Sequence, residues 1–186
     1  MANYGVNQTQ QWQQGQSGSA VTAASATEML PAVGRWAWSP QPPIKIGDII
    51  TFRAWGKISC VVTTPGTARF DIRAGSTVIA DSGALNLNVV AKTNVPWWLD
   101  FEGFVSAIGS GTSATLTGMF RFESEAVVGA AANTAGGNGV LLAPVSGAVA
   151  GSGWDSTITN TMTAFFTQTV ATGSMTCLHS RWNMDT

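Results

Sequence analysis

In DIITFRAWGKISCVV, residues 48–62, the side chains Ile50, Phe52, Ala54, Ile58, Cys60 and Val62 alternate with Thr51, Arg53, Trp55, Lys57 and Ser59. Successive side chains leave a pleated strand on opposite sides, so a period of two marks a strand with one buried face. The first set belongs to a core and the second to the outside. TARFDIRAG, residues 67–75, repeats the rule, with Ala68, Phe70, Ile72 and Ala74 set against Thr67, Arg69, Asp71 and Arg73. Pro65-Gly66 supplies turn chemistry between the two segments, which are therefore predicted to pair as a hairpin.

Working outward, further strands are predicted over residues 76–81, 84–91, 96–108, 113–123, 157–170 and 174–184. The breaks ADSGA, KTNVP, IGSGTS and ATGS carry the Gly, Asn, Asp and Ser that turns require. About eight strands and no long helix predict an all-β fold, an antiparallel β-sandwich. One long late connection makes a jelly roll of about eight strands the expected form, ahead of an immunoglobulin-like sandwich. That connection, residues 124–156, holds GVLLAP as a short edge strand. It reads either as a surface crossover or as a contact loop for a partner.

Residues 1–46 differ from the sandwich domain, residues 47–186. A Gln-, Ser- and Ala-rich lead passes a short helical turn near SATEMLPAV, and Pro40, Pro42 and Pro43 favour an extended path. Such a segment buries too little of itself to fold alone. Yet it carries Trp12, Trp36 and Trp38, and leaving a large apolar side chain in water costs about 1.5–3 kcal/mol. The expectation is an extended N-terminal arm that docks on something through these three indoles.

Only 10% of the 186 residues are charged and the formal net charge is −1. Such a surface has little self-repulsion and suits a protein that ends up assembled. The nine Lys and Arg are scattered singly, which argues against a nucleic-acid partner. The first residues show neither a basic start nor an apolar run, no stretch is long enough to span a bilayer, and synthesis in the cytosol is expected. No membrane partner is expected. Cys60 and Cys177 have no metal-ligand spacing and are read as small core residues, a bridge between them being the minor alternative.

Catalysis has little to work with. His179 is the only histidine, and no GxSxG motif precedes a helix. By period two it falls with Met175, Cys177 and Arg181, opposite Leu178 and Trp182. Asp100 and Glu102 share one face of a strand at about 7 Å spacing, as a glycosidase pair might, but a solvated or salt-bridged face is the commoner use. Asp71, Glu123 and Glu125 resemble no calcium loop. GSGTS (109–113) and GGNG (136–139) lack the Lys-Ser/Thr of a phosphate loop. No enzyme, cofactor or metal is expected.

The eight tryptophans remain. In VPWWLDFEGFVSA, residues 95–107, Trp97 shares the inward face with Leu99, Phe101, Gly103 and Val105. Trp98 shares the outward face with Asp100, Glu102 and Phe104, too apolar for water and too acidic for a core. Trp98 and Phe104 are expected to meet another subunit or a larger assembly. An exposed indole stacked on sugar is the alternative.

KTNVPWWLDFEGFVSAIGSGTSATLTGMFRFES (92–124) and GVLLAPVSGAVAGSGWDSTITNTMTAFFTQTVATGSMTCLHSRWNM (139–184) together resemble small structural proteins of tailed bacteriophages, most of all jelly-roll capsid decoration, or cement, proteins. The likeness rests on an Asn-x-x-Trp strand start, a Gly-Thr-Ser turn, the ending F-x-S-E and a late Thr-rich strand, over residues 47–184. It implies a homo-oligomer, a trimer in most such proteins, seated on the major capsid protein at the outside of the phage head. Each copy then needs only modest affinity, because a trimer engages several capsid subunits at once. The alternative is a tail or head-fibre module that binds host-surface carbohydrate through exposed Trp.

Overall fold

The alternation in the sequence reappears as an alternation of burial along each long strand. The computed structural model describes residues 9–41, 43–61, 66–127, 139–144, 147, 149–171 and 173–185. In chain order the strands are β1 (Thr9–Gln13), β2 (Thr27–Glu28), β3 (Trp36–Trp38), β4 (Ile49–Cys60), β5 (Thr67–Ala74), β6 (Thr77–Asp81) and β7 (Leu85–Asn86). They continue with β8 (Lys92–Ala107), β9 (Thr115–Ser124), β10 (Gly139–Ala143), β11 (Val149–Ala150), β12 (Asn160–Gln168) and β13 (Ser174–Asp185). A single 3₁₀ turn, Ala32–Gly34, is the one helical element among the described residues.

Two antiparallel sheets form the sandwich. The first has seven strands, β1-β13-β4-β8-β9-β10 with β11 also on β9; the second has six, β2-β12-β5-β6 with β3 on β12 and β7 on β5. The expected eight strands undercount this, because short strands from the N-terminal segment and from the late connection add themselves to the long ones. GVLLA of that connection is the predicted edge strand, now β10 on β9. GGNG lies outside the described residues but for Gly139.

β4 and β5 do not form the expected hairpin. β4 lies between β13 and β8 in the first sheet, and β5 between β12 and β6 in the second. Residues 62–65 of their connection, with Val62 and Pro65, are outside the described residues. Alternation reports which face of a strand is buried, and strands in facing sheets share a core as readily as paired neighbours do. The strand expected over 84–91 shrinks to Leu85–Asn86.

The core is aromatic. Phe70 of the second sheet lies 4.8 Å from Phe122 and 6.1 Å from Trp97 of the first, ring centre to ring centre, and 5.4 Å from Phe166 beside it. Removing one such ring to Ala costs about 3–5 kcal/mol. Phe101 sits beneath the facing pair Gly103 and Gly118, where an added Cβ would come within 2.7 Å of its ring. Glycine is the residue that leaves room for it.

The N-terminal segment is not a free arm. β1 pairs with β13, Val21 bridges Met175, and β2 and β3 pair with β12. Trp38 is 0% exposed and lies 4.8 Å from Trp154; Trp36, 5% exposed, lies 6.2 Å from Trp182. These indoles dock on the chain's own sandwich, because β12 and β13 offer unpaired edges that an extended segment can cover. Gln14 ties the crossing down, its buried side-chain carbonyl accepting from the Ser180 hydroxyl at 2.8 Å. Cys60 and Cys177 are both buried and free.

Candidate functional site

The outer face of the second sheet is closed by its own charges. Arg69 pairs with Asp81, Arg73 with the buried Asp71 at 2.5 Å, and the Arg73 guanidinium lies 3.8 Å over the Phe165 ring. Glu28 of β2 accepts from Arg35 and from Thr163. Burial disfavours ionisation of Glu28, but these hydrogen bonds outweigh it and hold its carboxyl below the usual carboxylate range.

The outer face of the first sheet is different, and cross-strand register builds it in rows. Trp55 of β4 faces His179 of β13 on one side and Trp98 of β8 on the other, and Trp98 in turn faces Glu123 of β9. Two residues further along each strand come Arg181, Arg53, Asp100 and Arg121. Next are Asn183, Thr51, Glu102 and Met119, and the last row holds Asp185, Ile49, Phe104 and Thr117. Cross-strand neighbours stand about 5 Å apart at Cβ, so each row sets its side chains next to one another.

The two expected members of this face are where period two places them. Trp97 is buried at 2% while Trp98 is 41% exposed and Phe104 46%. Trp55 equals Trp98 in exposure, also 41%. Trp55 was legible in the outward set of β4, but only its register with Trp98 makes it part of a site. Trp12 is half-exposed, its indole N–H donating to the Val33 carbonyl at 3.0 Å. Trp36 and Trp38 are in the core and are withdrawn as contact residues.

His179 keeps Arg181 of its expected set but parts from Met175 and Cys177. A β-bulge between Cys177 and His179 breaks the period, so that Met175 and Cys177 point inward before it, and Ser180, Trp182 and Met184 inward after it. His179 and Arg181 are thereby turned outward, where His179 lies 5.9 Å from the Trp55 ring. Gly56 stands opposite Cys177, and a Cβ there would meet the Thr176 carbonyl oxygen at 1.9 Å. No period analysis detects a single inserted residue of this kind.

Clefts flank the indoles. One of about 450 Å³ is bordered by Trp55, Pro96, Trp98, Glu123, Ser124 and Glu125. Another of about 270 Å³ is bordered by Gln13, Arg53, Trp55, Trp98, His179 and Arg181. At the far end, Ile49, Glu102, Phe104, Thr117 and Met119 border a third of about 490 Å³. Three carboxylates of this face are ion-paired, Asp100 with Arg53 at 3.0 Å, Glu123 with Arg121 at 3.2 Å and Glu125 with Lys92 at 3.2 Å, whereas Glu102 at the third cleft is outside these pairs. Asp100 thus serves a salt-bridged face. Among the described residues no three His, Cys, Asp or Glu side chains gather as metal ligands.

No protein-family model matches the chain, and no curated protein matches it. Among the described residues no helix is long and apolar enough to cross a membrane.

Proposed function

We propose that this chain is a structural protein of a bacteriophage virion, a decoration (cement) protein without catalytic activity that binds the outer surface of the head. In this reading it is made in the host cytoplasm, binds the major capsid protein as a homotrimer and stabilises contacts between capsomers. The observation that carries it is the row Ile49–Phe104, exposed 38% and 46% and set beside a cleft on a sheet face whose neighbouring charges pair as Arg53–Asp100 and Arg121–Glu123. A large exposed ring in such a setting is a typical anchor for a protein partner. The sparse charge of the chain and the likeness over residues 47–184 support the same reading. A jelly-roll form belongs to the proposal; it is supported by the changes of sheet within residues 47–186, from β4 to β5, β7 to β8, β11 to β12 and β12 to β13.

Mass spectrometry of purified virions of the encoding phage tests this. The expected result is the chain in many copies per particle, with a solution mass of three protomers before assembly; virions lacking it would refute the assignment. Phe104→Ala is expected to lower its occupancy on heads while leaving the isolated protein folded.

A further inference from the structure

Trp98 and Phe104 lie six residues apart on one strand, about 20 Å at ~3.4 Å per residue, with a belt of ion pairs between them. The contact proposed for the Phe104 row therefore leaves the indole row unexplained. We infer that Trp55 and Trp98 form the floor of a binding site for a neutral saccharide. This inference stands independently of the virion assignment.

Three features select that ligand. First, the two indoles are adjacent cross-strand partners on a sheet face, each 41% exposed. An indole face carries the negative side of the ring quadrupole, which attracts the slightly positive C–H bonds on the apolar face of a pyranose. Two such platforms side by side suit consecutive sugar units rather than one isolated ring.

Second, both flanks are concave and lined with side chains that complement hydroxyls. Glu123 and Glu125 border one cleft, and Gln13, Arg53, His179 and Arg181 the other. Carboxylate, amide, imidazole and guanidinium groups supply acceptors on one side and mostly donors on the other. At about 450 Å³ the larger cleft has the size of an ordinary small-ligand site, roughly 300–1,000 Å³.

Third, the charges around the indoles are largely paired. Arg53–Asp100, Arg121–Glu123 and Lys92–Glu125 cancel in pairs, and Arg181 is the one Lys or Arg bordering the two clefts outside them. A cationic ligand would have to break those pairs and an anionic one would find only Arg181 outside them, whereas a neutral sugar adds hydrogen bonds to them. A large apolar protein surface also fits poorly here, because it would strand the same charges without water.

The full chain, titrated with neutral tetrasaccharides of glucan, chitin, galactan and mannan type, tests the inference by indole fluorescence and calorimetry. At least one is expected to bind saturably and change the fluorescence. Trp98→Ala and Trp55→Ala are each expected to weaken that binding at least tenfold. Trp98→Phe should keep part of it, which separates a lost platform from a lost fold. Arg69→Gln, on the outer face of the other sheet, should bind as wild type. The inference is overturned if no tetrasaccharide binds, or if Trp98→Ala binds as tightly as wild type. It is equally overturned if sedimentation shows that Trp98→Ala dissociates an oligomer, since the indoles then serve a second copy. Sugar binding by a chain absent from virions would remove the proposed function and leave this site standing.

Discussion

Trp97 and Trp182 are both fully buried, but only Trp182 has a partner for its indole N–H, the Gly34 carbonyl at 3.2 Å. The Trp97 N–H is buried without one, as are those of Trp38 and Trp154. Replacing an unsatisfied donor removes a cost, whereas breaking a buried hydrogen bond strands its acceptor. Trp182→Phe is therefore expected to destabilise by about 1–3 kcal/mol more than Trp97→Phe. Urea denaturation of the two variants measures this, and equal midpoints would contradict it. The thiols are a second test. Burial pushes the Cys177 thiol from 9.0 up to about 12, so the thiolate that reacts is suppressed in the folded state. A thiol reagent at pH 8 should modify Cys177 only on unfolding. The linked stability follows in sign: below pH 9 both states hold the proton, and between about 9 and about 12 only the native state does, so stability falls as pH rises through that window.

At the level of strands, the bulge in β13 decides what the outer face displays. Without it, His179 would take the inward place and Trp182 would turn out of the core, leaving Phe52, 4.2 Å from the Trp182 ring, without its neighbour. Gly56 permits the bulge by letting the β13 backbone approach. Gly56→Ala is expected to cost on the order of 1–3 kcal/mol, because a 1.9 Å contact with a backbone oxygen can be relieved only by moving a strand. Chemical denaturation together with the NMR shift of His179 tests both halves of this; a stable variant with an unchanged His179 signal would show that β13 tolerates the methyl group. The bulge was not legible in SMTCLHSRWNM. Its inward residues obey two alternations of opposite phase, and a single-phase reading assigns one half wrongly.

Over the whole molecule, the N-terminal segment is a structural part of the sandwich. Trp36 and Trp38 alone would each cost about 3–5 kcal/mol to remove. Their sum approaches the entire stability of a typical domain, about 5–15 kcal/mol. A fragment of residues 47–186 is expected to lack a cooperative thermal transition. A melt close to that of the full chain, followed by circular dichroism, would show that the segment is dispensable after all.

What residues 48–62, 67–75 and 95–107 determined by themselves was the face of each side chain. Trp97 points in, Trp98 out, Phe52 and Phe70 in, Arg53 and Arg69 out, because facing follows from the stereochemistry of one strand. Partners were decided only by the tertiary structure. That β4 pairs with β13 and β8 rather than β5, that Trp36 and Trp38 fill the chain's own core, and that Trp55 stands beside Trp98 all depend on contacts distant in sequence. Those contacts form through competing ways of burying the same apolar faces, and a period of two is the same in every one of them.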